Sequence, residues 1–121
     1  MPPKRIPDAV GQPAVRGALA GTAADVPTAV RYLLQVLATT AEGNTVEVRV
    51  PPYGAVQAIE GPRHTRGTPP NVIELGAEAW LALATGGLSW ADAVASGIVS
   101  ASGQRADLTA YVPLRWGTMG E

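Results

Sequence analysis

Apolar side chains recur at helical spacing through residues 25–41. Val26, Val30, Leu33, Leu34, Leu37 and Ala41 fall at i, i+3/i+4 and i+7 and line one broad face. The spacing predicts a helix with Asp25 as its N-cap, Pro27 tolerated in the first turn, and Gly43-Asn44 as its stop. Burying that stripe removes several large side chains from water, each contributing about 1.5–3 kcal/mol before conformational entropy opposes it. The period then changes. In residues 45–50 (TVEVRV), Val46, Val48 and Val50 point one way and Glu47 and Arg49 the other, which predicts a strand with one buried and one wet face. Pro51-Pro52 cannot donate ladder hydrogen bonds, and with Tyr53-Gly54 they form a turn. Residues 55–60 (AVQAIE) then return as a second strand, antiparallel to the first. Beyond a Gly- and Pro-bounded loop over 61–70, residues 71–75 (NVIEL) read as a third strand, expected as another antiparallel neighbour.

Residues 80–103 (WLALATGGLSWADAVASGIVSASG) carry the pattern onward. Trp80, Leu83 and Ala84 share a helical face, and Gly86-Gly87 stop that helix. Ser89 caps a second helix, with Asp92 three residues on; Trp90, Ala93 and Val94 form its apolar stripe, and Gly97 ends it. A short β-prone run follows over 98–102. Further on, Asp107 caps a turn through Leu108 and Tyr111, Pro113 ends it, and Leu114 is placed back on the core. At the other end, residues 1–11 show no periodicity and read as a loosely attached arm, followed by a short helix over 12–22 on Val15, Ala18 and Leu19. The division is an N-terminal arm with a short helix (1–24), one domain (25–114) and a frayed tail (115–121). The class is α+β: helices over one face of a small, mostly antiparallel sheet.

Composition narrows the functional classes. A chain of 121 residues, 46% hydrophobic and 16% charged, suits one core. The net charge of −1 gives no general attraction to nucleic acid or anionic membranes. No apolar window approaches the length of a membrane span, and the charged N-terminus has no apolar run after it. A cytoplasmic location is the expectation. There is no cysteine and one histidine, so neither a disulfide framework nor a two-His metal site can be built, and no cofactor or metal is expected. With no phenylalanine, the three Trp carry much of the bulky packing.

The stretch from VEVRVPPYGAVQAIEGPRHTRGTPPNVIEL through WLALATGGLSWADAVASGIVSASGQRADL resembles the small bacterial branch of the sterol carrier protein superfamily, over roughly residues 26–114. Glu78, Trp80, Leu83-Ala84-Thr85-Gly86, Gly97 and Gly103 match the pattern of the wider superfamily. The Pro-Pro-Tyr turn and the Arg-His-Thr-Arg loop match the bacterial branch. The resemblance implies a sheet of four to five strands with helices on one face, and a hydrophobic tunnel between them that holds an acyl chain or sterol in better-known members. On that implication the ligand-contacting candidates are Leu37, Val56, Ile59, Trp80, Leu83, Trp90 and Val94, positions that otherwise read as ordinary core. The chain departs from the lipid carriers in its short, Ala-rich helices and its lack of Phe, either of which narrows a tunnel.

One segment has chemical character of its own. Arg63, His64, Thr65 and Arg66 place two guanidiniums, an imidazole and a hydroxyl in one loop, and arginine forks recognise carboxylate or phosphate bidentately. The plainer reading is solvated side chains or partners for Glu60, Glu74 or Glu78, worth about 0–1 kcal/mol each. No catalytic constellation accompanies them: there is no Gly-x-Ser-x-Gly elbow, and the glycine pairs lack the Lys-Ser/Thr of a phosphate loop. The sequence therefore favours a non-enzymatic module that binds a small apolar or amphipathic ligand such as a lipid, acyl chain or sterol-like molecule. The alternative is a closed scaffold or accessory subunit binding an anion or a protein partner through the Arg63–Arg66 loop. Catalysis with His64 as general base ranks third, since no partner for it is identifiable.

Overall fold

The strand predicted from TVEVRV lies at the centre of the sheet. The structure is a computed structural model describing residues 4–61 and 70–117. In chain order it contains α1 (Asp8–Leu19), a short 3-10 turn (Ala23–Asp25), α2 (Val26–Thr40), β1 (Val46–Val50), β2 (Gly54–Ala58), β3 (Asn71–Leu75), α3 (Ala77–Thr85), α4 (Trp90–Ser96) and β4 (Val99–Ser102). The strands form one sheet in the order β2-β1-β3-β4. The class is α+β, as the alternation of helical and strand periods implies.

The sheet is mixed. The β1–β2 and β3–β4 pairs are antiparallel, but β3 runs parallel to β1, where an antiparallel neighbour was expected. Register explains how. Ala58, at the end of β2, lies opposite Val46 at the start of β1, and Asn71, at the start of β3, lies beside the same Val46 on the other edge. The chain thus leaves β2 and enters β3 at one end of the sheet, which fixes a parallel direction. The arrangement flanks the valine row of β1 with Ile73 and Leu75 on one side and the smaller Val56 and Ala58 on the other. Asn71 secures the junction: its Nδ2 donates to the Thr45 carbonyl at 3.0 Å, and its Oδ1 accepts from the Arg105 N–H at 2.9 Å.

Val46, Val48 and Val50 are fully buried, whereas Arg49 and Glu74 face solvent on the opposite side, where Arg49 pairs with Glu47 at 2.9 Å. The helices cover the valine side. α2 buries Ala29, Val30, Tyr32, Leu33, Leu34 and Leu37, and α3 buries Trp80, Leu81, Leu83 and Ala84. The glycine stops act as predicted: Gly86 (φ +94°) and Gly97 (φ +76°) are left-handed caps. The Ser89 hydroxyl accepts from the Asp92 N–H at 3.1 Å. The Asp25 carboxylate makes no capping bond, because the 3-10 turn leads straight into α2 and supplies the helical geometry itself. The C-terminal turn also forms. Asp107 accepts from the Thr109 N–H at 2.7 Å, and the Leu114 N–H donates to the Ala84 carbonyl at 2.8 Å, laying buried Leu114 on the core.

The first helix begins at Asp8, earlier than the periodicity indicated, and packs on α2. Gly11 permits this approach, since a Cβ there would overlap the Tyr32 ring. The Gln35 side chain holds the entry segment through both backbone groups of Ile6, accepting from its N–H at 2.8 Å and donating to its carbonyl at 2.9 Å.

α2 is joined to the sheet at a strained crossing. Ile59 follows β2 with φ +73°, donates its N–H to the Ala41 carbonyl at 2.6 Å and accepts from the Thr45 N–H at 3.1 Å. A β-branched residue there costs roughly 1–3 kcal/mol, which its two backbone bonds and burial offset. Gly43, at φ +151°, lies so close that a Cβ would run into the Ile59 carbonyl. Gly43→Ala is therefore expected to lower stability by roughly 2 kcal/mol or more, measured as the urea midpoint at unchanged m-value. Wild-type stability in that variant would show that the crossing is not tight.

Candidate functional site

The seven positions suggested for ligand contact separate into four groups. Leu37, Trp80 and Leu83 expose nothing, and Trp90 almost nothing; they fill the space between helices and sheet. The Trp80 indole N–H donates to the Val30 carbonyl at 3.3 Å, so its polar edge is spent on α2 and does not point into a pocket. Val56 is half-buried on edge strand β2. Val94 is 48% exposed, which corrects its place in the apolar stripe. α4 has only seven residues, and its buried seam is limited to Trp90 and Ala93. Ile59 alone of the seven borders a cleft. Arg63, His64, Thr65 and Arg66 lie outside the described residues; the flanking Gly61 and Pro70 are exposed.

Two clefts adjoin the C-terminal half of α2. The larger, about 490 Å³, opens where α2 ends. Half-buried Tyr111 and the edges of buried Ala41 and Ile59 give it a minor apolar surface, while Thr39, Thr40, Glu42 and Glu60 make most of its lining polar. Its walls come from the helix end, the residues after β2 and the C-terminal turn. The smaller, about 150 Å³, lies between α1, α2 and the C-terminal segment. Arg5, Asp8 and Gln12 enter it from the N-terminal side, Tyr32, Gln35 and Val36 from α2, and Arg115, Trp116 and Gly117 from the C-terminal side. Thr39 and Thr40 border both clefts.

The smaller cleft has the more defined electrostatics. The Tyr32 hydroxyl donates to Asp8 Oδ1 at 2.7 Å. Burial, followed by that bond to a carboxylate, raises the Tyr32 pKa above its ordinary value. Elsewhere, Asp107 is held below the usual carboxylate range by the hydrogen bonds it receives from Thr109. Among the described residues, no three His, Asp or Glu side chains gather as metal ligands would. No described helix is long and apolar enough to cross a membrane.

A helix layer on one face of a small mixed sheet, entered by α2 and closed by α3 and α4, is the architecture that the resemblance implied. The sequence matches the family described as Bacterial SCP ortholog over residues 22–114. The chain belongs to this family. The match makes it a bacterial sterol-carrier-like domain, and it spans every element from the 3-10 turn through β4 and on to Leu114. No curated protein matches the chain. In this sterol-carrier-like domain, α1 and the residues after Leu114 flank the matched region, and both contribute to the smaller cleft.

Sequence reasoning did not find Thr39, Thr40, Tyr111, Arg5, Arg115 or Trp116 as cleft residues. The adjacent threonines at positions 39 and 40, beyond the last leucine of α2, were a signal of an open helix end. Nothing local links residue 5 to residue 115.

The Tyr32–Asp8 bond gives a pH test. Because folding raises the Tyr32 pKa, its contribution is fully present below about pH 10 and is lost as pH rises through the folded-state value. Tyr32→Phe is expected to cost about 0.5–1.5 kcal/mol at neutral pH and to flatten the fall in stability above pH 10, read from denaturation midpoints across pH 8–11.5. Parallel wild-type and variant profiles would place the alkaline loss elsewhere.

Proposed function

We propose that this chain is a non-catalytic binding module taking a small apolar or amphipathic ligand at the open end of its helix–sheet seam. The observation that carries the reading is the cleft of about 490 Å³ beside Ala41, Ile59 and Tyr111, a size within the ordinary range for small-molecule sites. Family membership supports a lipid-like ligand class. The left-handed Ile59 on the cleft wall supports it further, since backbone strain is concentrated at sites that bind or switch. An apolar tail would lie along Ile59 and Ala41, with a polar group toward the threonine hydroxyls. The filled interior at Leu37, Trp80 and Leu83 disfavours a deep tunnel through those positions unless the helices move.

That same sealed interior favours a second reading: a closed scaffold that presents the 62–69 segment, with Arg63 and Arg66, to an anion or a protein partner. The two readings separate in one experiment. Native mass spectrometry of gently purified full chain, with titration of the uncharged apolar probe N-phenyl-1-naphthylamine followed by fluorescence, is expected to show one saturable ligand per chain. Tyr111→Ser is expected to weaken uptake severalfold with little change in melting temperature. Absence of both a copurifying apolar ligand and saturable uptake would overturn the binding-module reading and leave the scaffold.

A further inference from the structure

The smaller cleft is bordered by two exposed arginines from opposite ends of the chain, Arg5 and Arg115, beside α2. Arg5 is held by its neighbour Ile6, whose two backbone groups are clamped by Gln35 at 2.8 and 2.9 Å. On the other side, Leu114 is buried and its N–H is bonded to the Ala84 carbonyl at 2.8 Å, which fixes where Arg115 and Trp116 leave the core. Both arginines line the same space of about 150 Å³. The charged groups bordering it are Arg5, Arg115 and Asp8. Asp8 already accepts the Tyr32 hydroxyl through Oδ1, so its charge is partly satisfied and the cleft is left cationic on balance. Among the described residues, neither arginine is in a salt bridge, in contrast to Arg49 with Glu47.

The geometry points to a binding site for a small organic oxyanion, a carboxylate or phosphate carried on a short planar or apolar body, between Arg5 and Arg115 with Trp116 as its flat wall. Two arginine forks recognise an oxyanion bidentately. The half-buried Trp116 borders the same cleft, and its indole is the aromatic surface the body of the ligand would meet. At about 150 Å³ the site is less than a third the size of the larger cleft and shares only Thr39 and Thr40 with it, so it does not depend on the apolar-ligand reading. The acidic residues of the neighbouring cleft, Glu42 and Glu60, reinforce the sorting, since an anion is repelled there and attracted here.

The test is isothermal titration of the full chain with benzoate and, separately, with inorganic phosphate, in wild type, in Arg5→Gln/Arg115→Gln and in Arg105→Gln, whose exposed arginine lies beyond β4. Saturable binding of at least one probe is expected, weakened tenfold or more in the double variant and unchanged in Arg105→Gln. Melting temperatures of all three proteins should agree within a few degrees. A benzoate response alone assigns a carboxylate ligand, and a phosphate response alone assigns a phosphate ester. If the double variant melts early, Trp116→Leu replaces it and is expected to weaken benzoate more than phosphate. Absence of binding by both probes, or equal binding in wild type and the arginine variants, would overturn the assignment.

Discussion

The structure depends on one shared core, to which Val46, Val48 and Val50 of β1, the apolar stripe of α2, and Trp80 and Leu83 of α3 all belong, with α2 making its closest approach to the sheet at β2. Among the described strands, β1 is the only one with sheet neighbours on both edges that also carries three fully buried side chains. A strand so placed cannot shift register by one residue without turning Glu47 and Arg49 inward, where unpaired charge is costly. Register in turn places β3, and β3 delivers α3. The Asn71 side chain, bonded both to Thr45 and to Arg105, ties that order together at one end of the sheet.

The same packing determines where a ligand can go. A seam filled by Leu37, Trp80 and Leu83 leaves no room among those side chains, and the larger cleft lies at the rim, where α2 ends and the chain crosses itself at Ile59. The crossing is strained and close-packed, with Gly43 against the Ile59 backbone. It also borders the larger of the two clefts. Flanking additions then matter: α1 and the segment after Leu114 build a second, polar cleft on the α1 side of α2. In the proposed reading the domain therefore combines an apolar site on the shared fold with an oxyanion site made from its two flanks.

Much of the architecture was legible because local signals were strong. The alternation in TVEVRV set the two faces of β1, Ser89 and Gly97 bounded α4, and Gly86 stopped α3. The parallel β1–β3 pair was not legible, because it depends on which edge of β1 receives β3, a choice made by long-range burial and not by the intervening loop. The start of α1 was missed because Gly11 lowers helix propensity while permitting the close approach of Tyr32. Val94 was misplaced because a two-turn helix buries a narrower stripe than its periodicity suggests. The cleft residues escaped for a different reason: Arg5, Tyr32 and Arg115 carry no common spacing, and only the tertiary fold brings them together.

Native-state hydrogen exchange tests the central packing claim most directly. If the valine row and the α2 stripe form one cooperative unit, the amides of β1 and the middle of α2 exchange only through global unfolding, with one common free energy equal to that from denaturant melts. Exchange of the β1 amides through a local opening several kcal/mol smaller, while α2 remains protected, would contradict the account.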